Sequence, residues 1–156
     1  MSEGEVDPVF ERLYGAEFGS IFRAVLLLCG DRLLAEDATQ EAFARAFERW
    51  RRLRAHDWAA AWITTTALNV ARRTLRRRPV VEPADPPEAD TEELIDLREA
   101  IRALPPRQQE AVILHHLQDR PVAEVARAMG VSEGTVKTHL HRGRRALGER
   151  LGRRVG

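Results

Sequence analysis

The C-terminal part of the chain carries small polar and basic side chains at a spacing that suits contact with duplex DNA. The periodicity predicts a helix from Glu133 to about Leu151, and a rotation of about 100° per residue divides its side chains between two faces. The apolar face holds Val136, Leu140, Gly143 and Leu147. Short groups on the other face let the backbone approach a groove, and cations further along meet phosphates. The residues expected to contact DNA are Ser132, Gly134, Thr135, Lys137, Thr138, His141, Arg142 and Arg145.

This helix needs a second helix in front of it, and the sequence supplies one from Val122 to Met129. Gly130 can adopt the left-handed conformation of a tight turn, and Ser132 is a good N-cap for the helix that follows. Ala126 lies where the first helix must approach the second closely. The arrangement predicts a helix-turn-helix, with an ordinary amphipathic helical hairpin as the alternative.

A second group of basic residues lies on a predicted helix from about Trp58 to Arg77. Its members recur at helical spacing and share one face, which can bind the phosphates of single-stranded DNA. The group consists of Asn69, Arg72, Arg73, Arg76 and Arg77. Trp50, Trp58 and Trp62 could stack on separated bases, but tryptophans of small helical domains are more often core residues, and the core is favoured for Trp50 and Trp62.

An acidic and polar set lies on the predicted helix that follows Gly30 and that Asp31 can cap. The apolar stripe of this helix, expected to face inward, consists of Phe43, Phe47, Trp50 and Leu53. The polar set lies away from that stripe and consists of Asp37, Gln40, Glu41 and Arg45. These side chains are free to contact a partner protein, and a solvated polar face is the alternative.

Charge is distributed in blocks along the 156 residues, although the net charge is only +1. Residues 1–50 carry −5 and residues 81–106 carry −6, whereas residues 51–80 carry +7 and residues 107–156 carry +5. Basic blocks are electrostatic footprints for a polyanion, so two of them predict two patches that contact nucleic acid. An unevenly charged, solvated surface is the alternative.

The elements that position these residues are all predicted to be helices, because β-branched runs and apolar–polar alternation are missing. Several prolines mixed with acidic residues in residues 78–90 predict an extended linker. The expected fold class is all-α, with two small helical domains joined by a Pro-rich acidic linker. The expected parts are residues 1–77, the linker 78–90 and residues 91–156. In the second domain, a helix from Pro106 to about Leu117 is expected to turn Val112, Ile113 and Leu117 inward.

Catalytic and metal-binding patterns are missing from the sequence. There is no Gly-rich phosphate loop or nucleophile motif, and the neighbouring His115 and His116 lack cysteine partners. Cys29 is the only cysteine, which excludes an intrachain disulfide and suits a reducing compartment. No apolar run approaches the roughly 18 residues of a membrane span, and Met1–Pro8 lacks the parts of a signal peptide. We therefore expect a cytoplasmic, non-enzymatic protein without cofactor, metal or membrane insertion.

Four segments resemble sigma factors of RNA polymerase, and in particular their extracytoplasmic-function group. The run from Val131 to Arg142 resembles the recognition helix of sigma region 4, and it is equally similar to that of LuxR-type regulators. The run from Leu104 to Leu114 looks like the start of region 4. The run from Gly30 to Phe47 is similar to region 2.2, and that from Trp62 to Arg78 to regions 2.3 and 2.4. This order favours a sigma factor over the alternative, a LuxR-type regulator that binds operators without acting as a polymerase subunit.

The resemblance implies a role for each set of residues in directing RNA polymerase core to promoters and helping to open them. The C-terminal set would bind the minus-35 element, and the basic stripe would bind the minus-10 element. A loop before the stripe would capture an unstacked base through Arg54, His56 or Asp57. The acidic and polar set would dock on the clamp helices of the polymerase β′ subunit, and the β flap would be a second polymerase contact. The implied partners are therefore RNA polymerase core, promoter DNA and an anti-sigma factor.

Overall fold

The computed structural model describes residues 6–77 and 91–155, and every regular element within these ranges is helical. In chain order the elements are α1 (Pro8–Cys29), α2 (Arg32–Glu48), α3 (Trp50–Leu53), α4 (Ala59–Arg77), α5 (Glu92–Arg102), α6 (Pro106–Val112), a π-helical turn (Ile113–Leu117), α7 (Val122–Met129) and α8 (Glu133–Val155). The all-α prediction is confirmed. The linker predicted for residues 78–90 lies outside the described residues.

The junction between α1 and α2 follows the predicted capping residues. Gly30 has φ +69°, a left-handed conformation, and its amide donates to the carbonyl of Leu26 at 2.8 Å. A side-chain oxygen of Asp31 then accepts from the amide of Leu34 at 3.1 Å, which satisfies one free donor of the first turn of α2. Glycine at the end of α1 and aspartate at the start of α2 therefore fix this corner.

The N-terminal core is formed by α1, α2 and α4, with Phe43, Ile21 and Ile63 among its fully buried side chains. Phe47 departs from the prediction, because half of its surface (50%) is exposed. Within α2, Phe47 lies two turns after Gln40 and therefore at the polar edge of the helix, whereas the ring of Trp50 packs 5.2 Å from that of Phe10. Trp50 takes the inward position, and Phe47 contacts Phe10 only at the edge of the core.

The C-terminal core is formed mainly by α6, the π-helical turn, α7 and α8, with Val125 and Val136 fully buried. Leu117 departs from the prediction, since it is 44% exposed. The helix that begins at Pro106 widens into the π-helical turn, in which the amide of Gln118 donates to the carbonyl of Ile113. The wider turn moves Leu117 off the face that buries Val112, a shift that the regular period of an α-helix does not anticipate.

The two halves of the chain pack against each other. Ile101 and Ile113 of the C-terminal half belong to the first core, and Ala61 of α4 belongs to the second. At the end of α1, Arg102 donates to the carbonyls of Leu28 at 2.6 Å and of Cys29 at 2.7 Å. We call this arrangement, with the C-terminal half seated on α1 and α4, the closed state.

Candidate nucleic-acid and polymerase interfaces

The turn between α7 and α8 has the geometry of a helix-turn-helix. Gly130 adopts φ +69°, and the amide of Val131 donates to the carbonyl of Ala126 at 3.0 Å. The hydroxyl oxygen of Ser132 accepts from the amide of Thr135 at 3.1 Å. Both predicted roles, the left-handed turn and the N-cap, are confirmed, and they fix where α8 starts relative to α7.

The inner face of α8 is seated on α6 and α7. Val136 and Leu140 are buried as predicted, and Gly143 is buried with them. A Cβ atom added at Gly143 would lie 2.8 Å from Cγ2 of Val112, closer than van der Waals contact. Only glycine therefore allows α8 to approach α6 this closely.

The outer face of α8 presents the residues expected to bind the minus-35 element. Thr135 is partly buried and the others are exposed, namely Ser132, Gly134, Lys137, Thr138, His141, Arg142 and Arg145. The pair of Arg145 with Glu149 spans 3.4 Å, and both side chains are largely exposed, so it is a weak restraint. Arg144 is also exposed, and the sequence analysis left it out although its i+7 spacing from Lys137 places both on one side.

The predicted basic stripe on α4 divides into two groups. Asn69, Arg73, Arg76 and Arg77 are exposed. Arg72 is not part of this exposed surface, because its side chain is only 13% exposed and contacts the C-terminal half. Its Nε donates to Oε1 of Gln109 at 2.8 Å, and a terminal nitrogen lies 3.2 Å from Oε1 of Glu110. Its other terminal nitrogen donates to the side-chain oxygen of Asn69.

Glu110 carries the buried charge of this contact, and only 2% of its side chain is exposed. It also pairs with Arg107 of its own helix at 2.9 Å. Burial lowers the pKa of the Arg72 guanidinium, and the charge of Glu110 acts in the opposite direction. Because an arginine remains protonated in proteins, the contact is an ion pair.

The loop before α4 exposes all three candidates for reading a base. Arg54 pairs with Asp7 at 3.0 Å, and Asp57 pairs with Arg127 of α7 at 3.4 Å. The ring of His56 stacks on that of Trp58, with centroids 4.5 Å apart. Each of the three is therefore exposed, and Arg54 is also held by the buried carboxylate of Asp7.

The tryptophans occupy different environments. Trp50 is buried, as favoured from the sequence. Trp62 is partly buried, and the guanidinium of Arg49 lies 5.6 Å from its ring centroid. Trp58 is also partly buried and lies under His56. Trp58 and Trp62 therefore present aromatic surface near the loop.

The polar face of α2 is exposed at Asp37, Gln40 and Glu41. Arg45 is partly buried and pairs with Glu41 at 2.7 Å, while Oε1 of Gln40 accepts from the hydroxyl of Tyr14 at 3.3 Å. This face is thus polar and partly ordered by contacts within the chain.

Two apolar residues complete the α2 face, and the sequence analysis missed both. Leu33 is 75% exposed and Phe47 is 50% exposed. On the helical wheel they fall on the side of Asp37 and Gln40, one turn before and two turns after that pair. Protein interfaces commonly combine apolar anchors with polar contacts. The sequence could have indicated Leu33, because it lies four residues before Asp37 and therefore on the same face of the helix.

The described residues were also searched for metal-binding groups and membrane-spanning helices. Within residues 6–77 and 91–155, no three His, Cys, Asp or Glu side chains come together in a group that could hold a metal ion. None of the helices in the described part of the chain has the length and hydropathy needed to cross a membrane.

Comparison with known protein families assigns each half of the chain to a region of the sigma-70 family. The family model for Sigma-70 region 2 matches residues 13–79, and that for Sigma-70 region 4 matches residues 94–147. RNA polymerase sigma-E factor of Streptomyces coelicolor is 30% identical over 151 residues, which cover 91% of this chain and 85% of that protein. ECF RNA polymerase sigma factor BldN of the same organism is 34% identical over 165 residues, which cover 95% of this chain and 62% of BldN.

A solved structure shares the fold. The sigma factor RpoE from Bartonella quintana, in complex with the anti-sigma factor NepR, aligns with a TM-score of 0.66 and 21% identity, covering 92% of this chain and 96% of that one. The match of the N-terminal half to region 2 removes the alternative, a LuxR-type regulator that does not act as a polymerase subunit. The chain belongs to the extracytoplasmic-function group of RNA polymerase sigma factors, within the sigma-70 family.

Proposed function

We propose that this sigma factor holds a promoter at two points, one in each half, while a third surface docks on RNA polymerase core. Residues 1–77 would act as the docking and minus-10 unit, and residues 91–156 as the minus-35 unit, with residues 78–90 as the linker. The observation that carries the proposal is that α8 has one buried face and one exposed face rich in cations. Helix α4 likewise has a buried face and an exposed basic face, and this basic face supplies the second contact with the promoter.

At the minus-35 element, α8 enters the major groove. Gly134 and Thr138 near its start are small, so the backbone can approach the base edges. Lys137, Arg142 and Arg145 then contact phosphates or bases, and each well-formed base contact discriminates by about 1–3 kcal/mol. Arg144 joins this group as a further phosphate contact.

At the minus-10 element, the stripe on α4 holds the separated strand. Arg73, Arg76 and Arg77 supply the phosphate contacts, and Asn69 supplies an amide. The loop residues Arg54, His56 and Asp57 are the candidates for capturing an unstacked base. Arg72, which pairs with Glu110, is not among the exposed contacts.

The polymerase contact lies on α2. Asp37, Gln40, Glu41 and Arg45 give polar specificity, and Leu33 and Phe47 give the apolar area that drives association. The proposed partner surfaces are the clamp helices of the β′ subunit for α2 and the β flap for the C-terminal half.

An anti-sigma factor is a further proposed partner, and the solved relative in complex with NepR supports this. We also infer that the chain acts in the cytoplasm, where polymerase and DNA are found, as a binding subunit without catalytic residues or a cofactor.

The experiment that tests the proposal is run-off transcription with purified core polymerase on fragments of the source genome. We expect promoter-dependent product only when the chain is added. The double variant Lys137→Ala/Arg145→Ala should lose most of that product. Arg12→Ala removes an exposed cation from α1 and serves as the matched control, which should retain activity. Absence of product from every fragment contradicts the proposal.

A further inference from the structure

We propose that Asp7, just before α1, is a positioning residue for promoter recognition: it holds Arg54 so that the other edge of this guanidinium reads one unpaired guanine of the minus-10 strand. The inference rests on the proposed function in one respect, the capture of a base by the loop before α4. It goes further because it selects one of the three loop candidates, names the base, and gives a role to a residue outside the surfaces assigned above.

The carboxylate of Asp7 joins the start of α1 to this loop. One oxygen, Oδ1, accepts from the amide of Val9 at 2.8 Å and caps α1, and the other, Oδ2, lies 3.0 Å from a terminal nitrogen of Arg54. Only 11% of the Asp7 side chain is exposed. The hydrogen bond from Val9 lowers the pKa of the carboxyl and outweighs burial, which would raise it. The partner of Arg54 is therefore an ionised group in a fixed place.

The backbone of Arg54 is fixed as well. Its amide donates to the carbonyl of Trp50 at 2.8 Å, which closes the single turn of α3. Trp50 is buried, and its ring packs 5.2 Å from that of Phe10, so α3 is anchored in the N-terminal core. Because both its backbone and one of its nitrogens are held, Arg54 loses little conformational freedom when a base binds.

The other two loop candidates lack such support. Asp57 pairs with Arg127 at 3.4 Å, and these side chains are 79% and 60% exposed, so the pair is a weak restraint. The ring of His56 is exposed and lies on that of Trp58. A side chain that reads a base has to be held close to its working geometry by its neighbours. Of the three, Arg54 is the candidate with a buried, charged partner.

The ion pair leaves one edge of Arg54 available. Half of its side chain (50%) is exposed, and Asp7 engages one of its terminal nitrogens. A guanidinium presents its N–H donors in a planar fork, and two parallel donors match the O6 and N7 acceptors of guanine. Adenine and cytosine place an amino group in that pattern, and thymine offers a single acceptor there. Arg54 is therefore expected to favour guanine.

A cavity of about 570 Å³ lies beside the ion pair and gives the base a place. Asp7, Trp50 and Arg54 contribute to its lining. Pockets for small ligands commonly have volumes of roughly 300–1,000 Å³, so the size suits an unstacked nucleotide. Arg51 and Arg52 of α3 also line the cavity and are exposed, and their charges suit the phosphates on either side of that nucleotide. One cavity thus offers groups complementary to a base edge and to its flanking phosphates.

The test compares promoters that differ only in the minus-10 element. Each position of a promoter used by wild type is changed in turn to all four bases, and run-off transcription with core polymerase measures the preference at every position. Wild type should prefer guanine at one position by about 5-fold to 150-fold, the discrimination of a well-formed bidentate contact. Arg54→Lys keeps the charge but removes the planar fork, so it should abolish this preference and leave the other positions unchanged.

Asp7→Asn separates positioning from capping. Asparagine caps a helix about as well as aspartate, so α1 should remain intact, whereas the charge that holds Arg54 is lost. The guanine preference should fall by about threefold or more. The double variant Asp7→Asn/Arg54→Lys should be no worse than Arg54→Lys alone, because Asp7 acts through Arg54. Asp31→Asn is the matched control: it makes the same change at the cap of α2 and should keep the preference.

Circular dichroism checks that each variant keeps its helices. If Asp7→Asn loses helix, Asp7→Ser replaces it, because serine also caps and carries no charge. Equal guanine preference in wild type and in the folded Asp7 variant overturns the positioning role. A wild type without a guanine preference, or an Arg54→Lys variant that loses product equally with all four bases, overturns the reading role. In each of these cases wild-type product leaves the sigma function intact, whereas its absence from every fragment overturns both.

Discussion

Two glycines of α8 form a matched pair that tests how the recognition helix is seated. A Cβ at Gly143 would lie 2.8 Å from Cγ2 of Val112 and 3.8 Å from Cβ of Gln108. At Gly148, in the same helix, a Cβ would meet nothing within 4 Å. The two positions therefore share a helix and differ in the space beside them.

The expected magnitudes follow from this difference. Replacing glycine by alanine inside a helix stabilises by about 0.5–1 kcal/mol, because alanine loses less backbone entropy on folding. Gly148→Ala should gain about this amount. At Gly143 the new methyl group meets the stiff, buried Val112, and overpacking a close-packed interior costs about 1–3 kcal/mol. Gly143→Ala should therefore be less stable than Gly148→Ala by about 1–3 kcal/mol.

The assay is urea unfolding of both full-length variants and wild type, followed by helical circular dichroism. Both variants gain a similar helix propensity, so the difference between them isolates the contact with Val112. An unchanged m-value shows that the same surface is exposed on unfolding. If Gly143→Ala proves as stable as Gly148→Ala, α8 does not approach α6 as closely as described and the reasoning fails.

Three further predictions concern binding and reactivity. Replacing Lys137 and Arg145 by alanine should reduce the salt dependence of duplex binding by the holoenzyme, by about one unit of slope per lost phosphate contact. Anisotropy titrations at several salt concentrations measure this slope, and an unchanged slope would refute the assigned face. Replacing Asp37 and Gln40 by alanine should weaken binding to core polymerase by about tenfold or more, or about 1.4 kcal/mol. Fluorescence titration with core measures this, and unchanged affinity would exclude this docking surface. Burial raises the pKa of the Cys29 thiol, so its reaction with a thiol reagent at pH 8 should be slow until urea unfolds the chain. Reaction as fast as that of free cysteine would contradict the burial.

Local signals carried most of what the sequence predicted correctly. The end of α1 at Gly30, the cap at Asp31, and the Gly130–Ser132 turn each depend on residues close together in the chain. Short-range steric and hydrogen-bonding rules decide such features, so a sequence is enough to place them. The division of α8 into a buried and an exposed face follows from helical periodicity in the same way.

The predictions that failed depended on changes of helical register. Phe47 was placed in one inward stripe with Trp50 and Leu53, but the helix ends at Glu48 and a separate helix begins at Trp50, so Phe47 does not share the register of those two residues. Leu117 was placed inward on an α-helical period, but its turn is π-helical. In both cases packing against distant elements decides the local geometry, and a wheel drawn from one segment does not contain that information.

Arg72 shows a different limit of sequence reasoning. Its spacing placed it on the helix face that carries the other basic residues, but its side chain contacts the C-terminal half and is only 13% exposed. Its partner, Glu110, is far away along the chain, and nothing in the local pattern indicates that the two meet. The contact between the halves could be found only from the three-dimensional arrangement.

The arginines of α5 have a consequence for the first helix. Arg98 donates to the carbonyl of Leu27 at 3.1 Å, and Arg102 donates to those of Leu28 and Cys29. These are among the carbonyls that have no partner within their own helix, and the two cations also oppose the negative end of its dipole. The last turn of α1 is thus completed by side chains from the other half of the molecule. That turn leads directly into the helix proposed to meet polymerase, so removal of these two side chains would let the joint between the two helices fray.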